Sequence, residues 1–305
     1  MSYAAVYAEA PRPASSTGGT ARAPLEPVLE AVNGVSLAVV DSHADHAAGS
    51  SLPVVFFVSG SLASWRQHEP VADALREGHR VVLFDAVGCG ESARSARYGD
   101  YHPDAMYASL EAVYDRHVGA AASTTLVAHS YGCSLCVRLA EALRRRGSPP
   151  RKVVLLGAPA FHGGLMMPWS QRLFFRLVPG AVFRWLQQRL SEGFCQAAVA
   201  KNGPRSAVVR AICLAHNALD DFHVCSFFYP QARLVGLDVL ISLAEEVPVV
   251  FLTGTEDGIC PAERLQAAAV SKNSSFVTID AASHLLMLEQ PDAVLQHVRR
   301  RVESA

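Results

Sequence analysis

Nowhere does the sequence hold about 20 apolar residues together without charge, the length needed to cross a hydrocarbon core. It also opens without the basic segment, apolar core and small-residue cleavage site of a secretory signal. These absences point to a soluble chain. Neither sign of charge is in excess, with 27 basic against 28 acidic side chains. No basic run is long enough to serve as an arm on a phosphate backbone, so nucleic acid is not expected as a partner. Cysteine is sparse and odd in number, seven residues scattered through apolar segments. That argues against a disulfide framework and for reduced thiols in a cytoplasmic setting. Cys133 and Cys136 have CxxC spacing, but on a stretch that reads as a buried helix, which favours packing over redox or metal chemistry.

What is present is apolar sequence, half of 305 residues, enough for a large core and better suited to one α/β domain with an insertion than to two equal domains. Pro11 to Pro27 is rich in Pro, Ala, Ser, Thr and Gly, and residues 1–27 are expected to form a flexible leader before a domain spanning 28–305. Val28 to Asp41 holds two short apolar runs around Asn33-Gly34, the signature of a tight hairpin. Further short runs follow at Pro53 to Val58, Arg80 to Asp85, Thr124 to Ala128, Lys152 to Leu156, Val247 to Thr253 and Ser275 to Ile279. They lack strict alternation, as strands buried on both faces do. Helically spaced apolar residues separate them, such as Leu135, Leu139 and Leu143. The pattern predicts a mostly parallel sheet with helices on both faces.

Phe161 to about Leu243 is too long for a loop and contains no convincing strand, so it reads as an inserted helical cap. In it Arg172, Arg176, Arg184 and Arg189 interleave with Trp169, Trp185 and several Phe. Two expectations follow. Either the cap packs its apolar side over a pocket with the arginines in water, or it makes peripheral contact with a membrane.

The chemistry is concentrated in Leu126-Val127-Ala128-His129-Ser130-Tyr131-Gly132-Cys133. A strand-to-helix reversal here would lift the Ser130 hydroxyl clear of the sheet, and Ala128 and Gly132 are small enough for the tight turn. Ser130 read alone is as readily an ordinary loop serine. A hydroxyl nucleophile needs a base and a group that orients the base, and in a parallel sheet both belong just beyond strand ends. Asp257 and His284 stand there, in the order Ser, Asp, His. Glu256 is the nearest competitor for the acid, with Asp220 and Asp221 weaker ones; His129 adjoins the serine but is expected to point away. Oxyanion donors are expected from the backbone N-H groups of Tyr131 and of Ser61 in Ser59-Gly60-Ser61. Asp85 to Ser92 lacks the ending of a phosphate-binding loop and reads as a structural crossover.

Together these segments resemble the α/β-hydrolase superfamily from about residue 28 to 303. The carrying motifs are Ser59-Gly60-Ser61, Asp85 to Ser92, the elbow at Ala128 to Gly132, the turn ending at Asp257, and Ser283-His284 before Glu289-Gln290-Pro291. Leu126 to Ala140 and Ser283 to Pro291 are similar to the abhydrolase domain-containing protein 8 group. The resemblance implies an eight-stranded α/β-hydrolase fold and hydrolysis of esters, thioesters or lipids without a cofactor or metal. Cofactor-free peroxidases share the triad. Ser59 departs from the usual histidine, and Ala128 from the usual first elbow glycine. The expected substrate is a small-molecule acyl ester or lipid of medium or long chain. Acyl transfer, thioester hydrolysis and a catalytically silent binding protein stay open, as does the oligomeric state.

Overall fold

A computed structural model of the chain describes residues 2–14, 23–43, 52–119, 123–265 and 273–300. Eight strands form one sheet: β1 (Val28–Val32), β2 (Val35–Asp41), β3 (Val54–Val58), β4 (Arg80–Phe84), β5 (Thr124–His129), β6 (Lys152–Leu156), β7 (Val249–Gly254) and β8 (Ser274–Ile279). Their order is β1-β2-β4-β3-β5-β6-β7-β8. β1 pairs with β2 and β2 with β4 antiparallel, and every other pairing is parallel. Val32 pairs with Val35 across Asn33 and Gly34, both at positive φ, so the hairpin turns where the dipeptide allows it.

The continuous apolar runs arise because both sheet faces are covered. Phe56, Leu126 and Val153 face one core, with α3 (Pro103–His117), α4 (Tyr131–Arg145) and α9 (Leu237–Ala244). Val55, Phe57, Val127 and Val154 face the other, with α2 (Glu69–Leu75), α10 (Leu286–Glu289) and α11 (Pro291–Arg299). Alternate residues of each strand are thus buried on opposite sides, which removes any polar alternation.

Between β6 and β7 stand α5 (Trp169–Leu177), α6 (Gly180–Ala198), α7 (Ser206–Asn217), α8 (Phe222–Phe228) and α9. Isolated antiparallel bridges, His162 with Gly236 and Leu165 with Arg233, clasp the two ends of this excursion. Two expectations need correction here. All but the last residue of α9 falls in the stretch 161–243, yet its Leu240, Leu243 and Ala244 are buried with α4 in the sheet's own helical layer, so the excursion closes near Gly236. The leader is also not loose from its start: α1 (Tyr3–Val6) and Tyr7 are buried with α7, because two tyrosines and a valine supply apolar area that the Pro- and Ser-rich stretch lacks. Residues 15–22 of that leader lie outside the described residues.

Candidate active site

The backbone at the end of β5 sets up the site. Ser130 has φ 51 and ψ −128, an unusual conformation for a residue with a Cβ. It is held by its N-H donating to Leu156 O at 2.9 Å and by its own carbonyl accepting from Cys133 N at 2.9 Å. α4 leaves so close to β3 that a Cβ on Gly132 would fall 2.4 Å from Ser59 O. Only glycine fits there. The hydroxyl borders a cavity of about 740 Å³.

Two loops from other strand ends meet it. His284 Nε2 lies 2.9 Å from Ser130 Oγ, and His284 Nδ1 lies 3.0 Å from Asp257 Oδ2. Asp257 Oδ1 accepts from the N-H groups of Ile259 at 2.9 Å and Cys260 at 2.7 Å, so the carboxylate is fixed from both oxygens. Both side chains are buried, His284 at 2% and Asp257 at 0% exposure. Glu256 turns outward, accepting from Lys201 N at 2.8 Å, and Asp221 caps α8 through His223 N at 2.7 Å. Asp220 instead borders the cavity. Ser61 and Tyr131 also border the cavity with Ser130, and Tyr131 is the first residue of α4, where backbone N-H groups lack helical acceptors.

The excursion is part of this geometry. At the end of α6, Ala198 O accepts from His284 N at 3.0 Å, and Ala197 O accepts from Gly258 N and from Ser283 Oγ, each at 3.0 Å. Buried Glu289 accepts from Ala200 N at 2.6 Å and Ser283 N at 2.7 Å, tying the same turn to the His284 loop. From α7, buried His216 donates through Nε2 to Leu62 O at 3.0 Å. Its Nδ1 takes the Tyr7 hydroxyl at 3.0 Å. Burial lowers the His216 pKa to about 4, so the ring is neutral and carries the one proton this pairing needs. Leu62 sits at φ 54 on the Ser59 to Ser64 loop, and the bond from His216 helps to hold that turn.

His129 departs from expectation. Rather than pointing away from the site, it lies with its ring 4.7 Å from that of His284 and donates from Nε2 to His284 O at 3.0 Å. Burial keeps it well below the usual histidine range and therefore neutral. In the Asp85 to Ser92 crossover, the Asp85 carboxyl takes Trp65 N at 2.5 Å and Glu91 N at 2.7 Å, which braces the loop carrying Ser61.

The sequence pattern of the alpha/beta hydrolase family matches residues 55–297. The chain belongs to that family. Among solved structures, it is similar to an esterase from Thermogutta terrifontis, at 22% identity over 91% of this chain and 97% of that one with a TM-score of 0.68. An esterase from Exiguobacterium antarcticum shares 19% identity over 90% and 100% of the two chains, TM-score 0.71. An enol-lactonase from Burkholderia xenovorans shares 20% over 89% and 98%, TM-score 0.70. At these identities the likeness is one of fold. No curated protein matches the chain, and the similarity to the abhydrolase domain-containing protein 8 group rests on the two short stretches alone.

Gly157 is a site residue that the sequence did not single out. It has φ +51, and a Cβ there would sit 2.9 Å from His284 Nδ1 and 3.3 Å from Asp257 Oδ2. Gly157→Ala is expected to cost about 1–2 kcal/mol for the left-handed backbone alone and to push the imidazole aside. Thermal unfolding should show a lowered Tm, and fluorophosphonate labelling of Ser130 should slow by at least about tenfold. Labelling at the wild-type rate would contradict this reading of Gly157.

Proposed function

We propose that the protein hydrolyses carboxylic esters of medium or long acyl chain, or lipids, through an acyl-enzyme on Ser130. The observation that carries this reading is the unbroken chain from Asp257 through His284 to Ser130 at the edge of a large cavity. His284 takes the hydroxyl proton as Ser130 attacks the ester carbonyl, then returns it to the leaving alcohol. Asp257 keeps the Nδ1-H tautomer and stabilises the imidazolium. The N-H groups of Ser61 and Tyr131 hold the developing oxyanion, each worth about two to three powers of ten in rate. Water then repeats the sequence on the acyl-enzyme; a thiol ester as donor or an alcohol as acceptor would use the same intermediate.

The chain-length assignment is supported by the wall of the cavity, where Met166, Met167, Phe175, Phe183, Leu190 and Phe194 supply apolar surface. The structurally similar proteins are distant in sequence, but two of them are esterases and the third is an enol-lactonase.

The exposed face of the cap supports a second element of the proposal, contact with an anionic membrane. Trp169, Leu177 and Trp185 are 74%, 68% and 71% exposed, and no residue of α5 is buried. This is not the face expected of a cap that turns its apolar side wholly inward; Phe175 and Phe183 do line the cavity, while the tryptophans face out. Residues 169–191 carry four arginines and no acidic side chain. Aromatic rings beside arginines suit an anionic headgroup region. Among the described residues, no helix is long and apolar enough to cross a membrane.

A fluorophosphonate probe should label the wild-type protein and leave Ser130→Ala unlabelled, and Ser130→Ala or His284→Ala should lower ester turnover by about 10⁴. Activity on p-nitrophenyl esters should peak beyond short acyl groups. An unlabelled wild type would favour a silent binding protein, and a sharp preference for acetate would remove the lipid reading. For the surface, the wild type should float with phosphatidylserine vesicles and the double variant Trp169→Ala/Trp185→Ala should not; equal flotation of both, or of neither, would retire the membrane contact.

A further inference from the structure

The cavity wall is not uniformly apolar. Asp220, Tyr229 and Gln67 also border it. Among the described residues, neither the Asp220 carboxyl nor the Tyr229 hydroxyl has a hydrogen-bond partner. Both groups border the same cavity, and burial pushes the Tyr229 hydroxyl well up, with Cys225 and then Asp220 adding to it. Asp220 feels a positive charge only at longer range, from Arg94. Burial raises its pKa to about 8, so near neutrality it is largely protonated and can both donate and accept. Gln67, 7% exposed, leaves its Oε1 without a partner.

A ligand that strips water from polar groups in a largely apolar pocket loses free energy unless it replaces their hydrogen bonds, a cost that leucine or phenylalanine at the same positions would not bring. A cavity built only for alkyl chains gains nothing from them. A ligand group that answers them must both donate and accept, since a protonated carboxyl and a phenol each offer one proton and lone pairs. A hydroxyl does so. An ammonium would require the carboxyl to ionise where burial opposes it, and a carboxylate ligand would meet an acidic neighbour. Resting on the ester-hydrolysis reading above, we propose that Asp220 and Tyr229 form a hydroxyl-recognising subsite, so that the preferred ester carries a hydroxyl on the arm that lies beneath the cap.

The test compares pairs of esters matched in length, one member ending in hydroxyl and the other in methyl, with the hydroxyl placed either on the acyl arm or on the alcohol arm. On one arm, at one length, the hydroxylated member should have the higher kcat/KM by about tenfold. The ratio should fall toward one in Asp220→Leu and in Tyr229→Phe, and should survive in Asp220→Asn, which keeps a donor and an acceptor. The same pairs are also compared as Kd values for Ser130→Ala protein, which binds without turnover. A hydroxyl preference there, with no ester turned over by the wild type, would keep the subsite while the hydrolytic reading falls. Equal treatment of both members on both arms in both assays would overturn the subsite, as would a preference that persists in Asp220→Leu or a stronger preference for the matching terminal amine.

Discussion

The site depends on one constrained residue, Ser130, held at φ 51 where β5 gives way to α4. A Cβ-bearing residue in such a region costs of order 1–3 kcal/mol, and the surrounding sheet imposes it. Leu156 O on β6 takes the serine N-H, and the closeness of α4 to β3 admits only glycine two residues on. Strands on either side of β5 therefore fix where the hydroxyl stands. Relaxing the turn would free the backbone and withdraw the oxygen from His284. The strain and the geometry are the same feature.

The excursion between β6 and β7 is more than a lid over the result. Its α6 carbonyls at Ala197 and Ala198 accept hydrogen bonds from the loops carrying Asp257 and His284. Its α7 reaches the opposite wall through His216 and Leu62, and behind His216 stands Tyr7 from the first helix of the chain. The proposed acid, base and oxyanion loops are thus each tied to a segment outside the sheet. Movement of the cap would be transmitted to the proposed chemistry through these bonds, and the N-terminal helix belongs to the same mechanical unit.

Much of this was legible in the sequence because it follows from local rules. Double-sided burial makes β3, β5 and β6 read as unbroken apolar runs, and Asn33-Gly34 announces its turn. Ser130, Asp257 and His284 stand just after strands, so a parallel sheet gathers them whatever lies between. Contacts that depend on distant partners left no such mark. Gly157 looks like any glycine until His284 is placed against it. Glu289 stands in the sequence only as part of a motif before Pro291, and only the fold brings Ala200 and Ser283 to it. Tyr3 and Tyr7 were hidden by the composition of the residues after them, and α9 by a helical period that cannot say which layer a helix joins. The outward tryptophans of the cap show the same limit, since periodicity marks a face without saying what it meets.

The central claim is that Ser130 becomes the acyl-bearing atom. Rapid acid quenching during turnover of a slowly deacylating ester, followed by mass spectrometry of the peptide containing Ser130, tests it most directly. The account predicts an acyl group on that serine, absent when His284 is alanine. Turnover with no adduct on Ser130, or with the acyl group on another side chain, would contradict it.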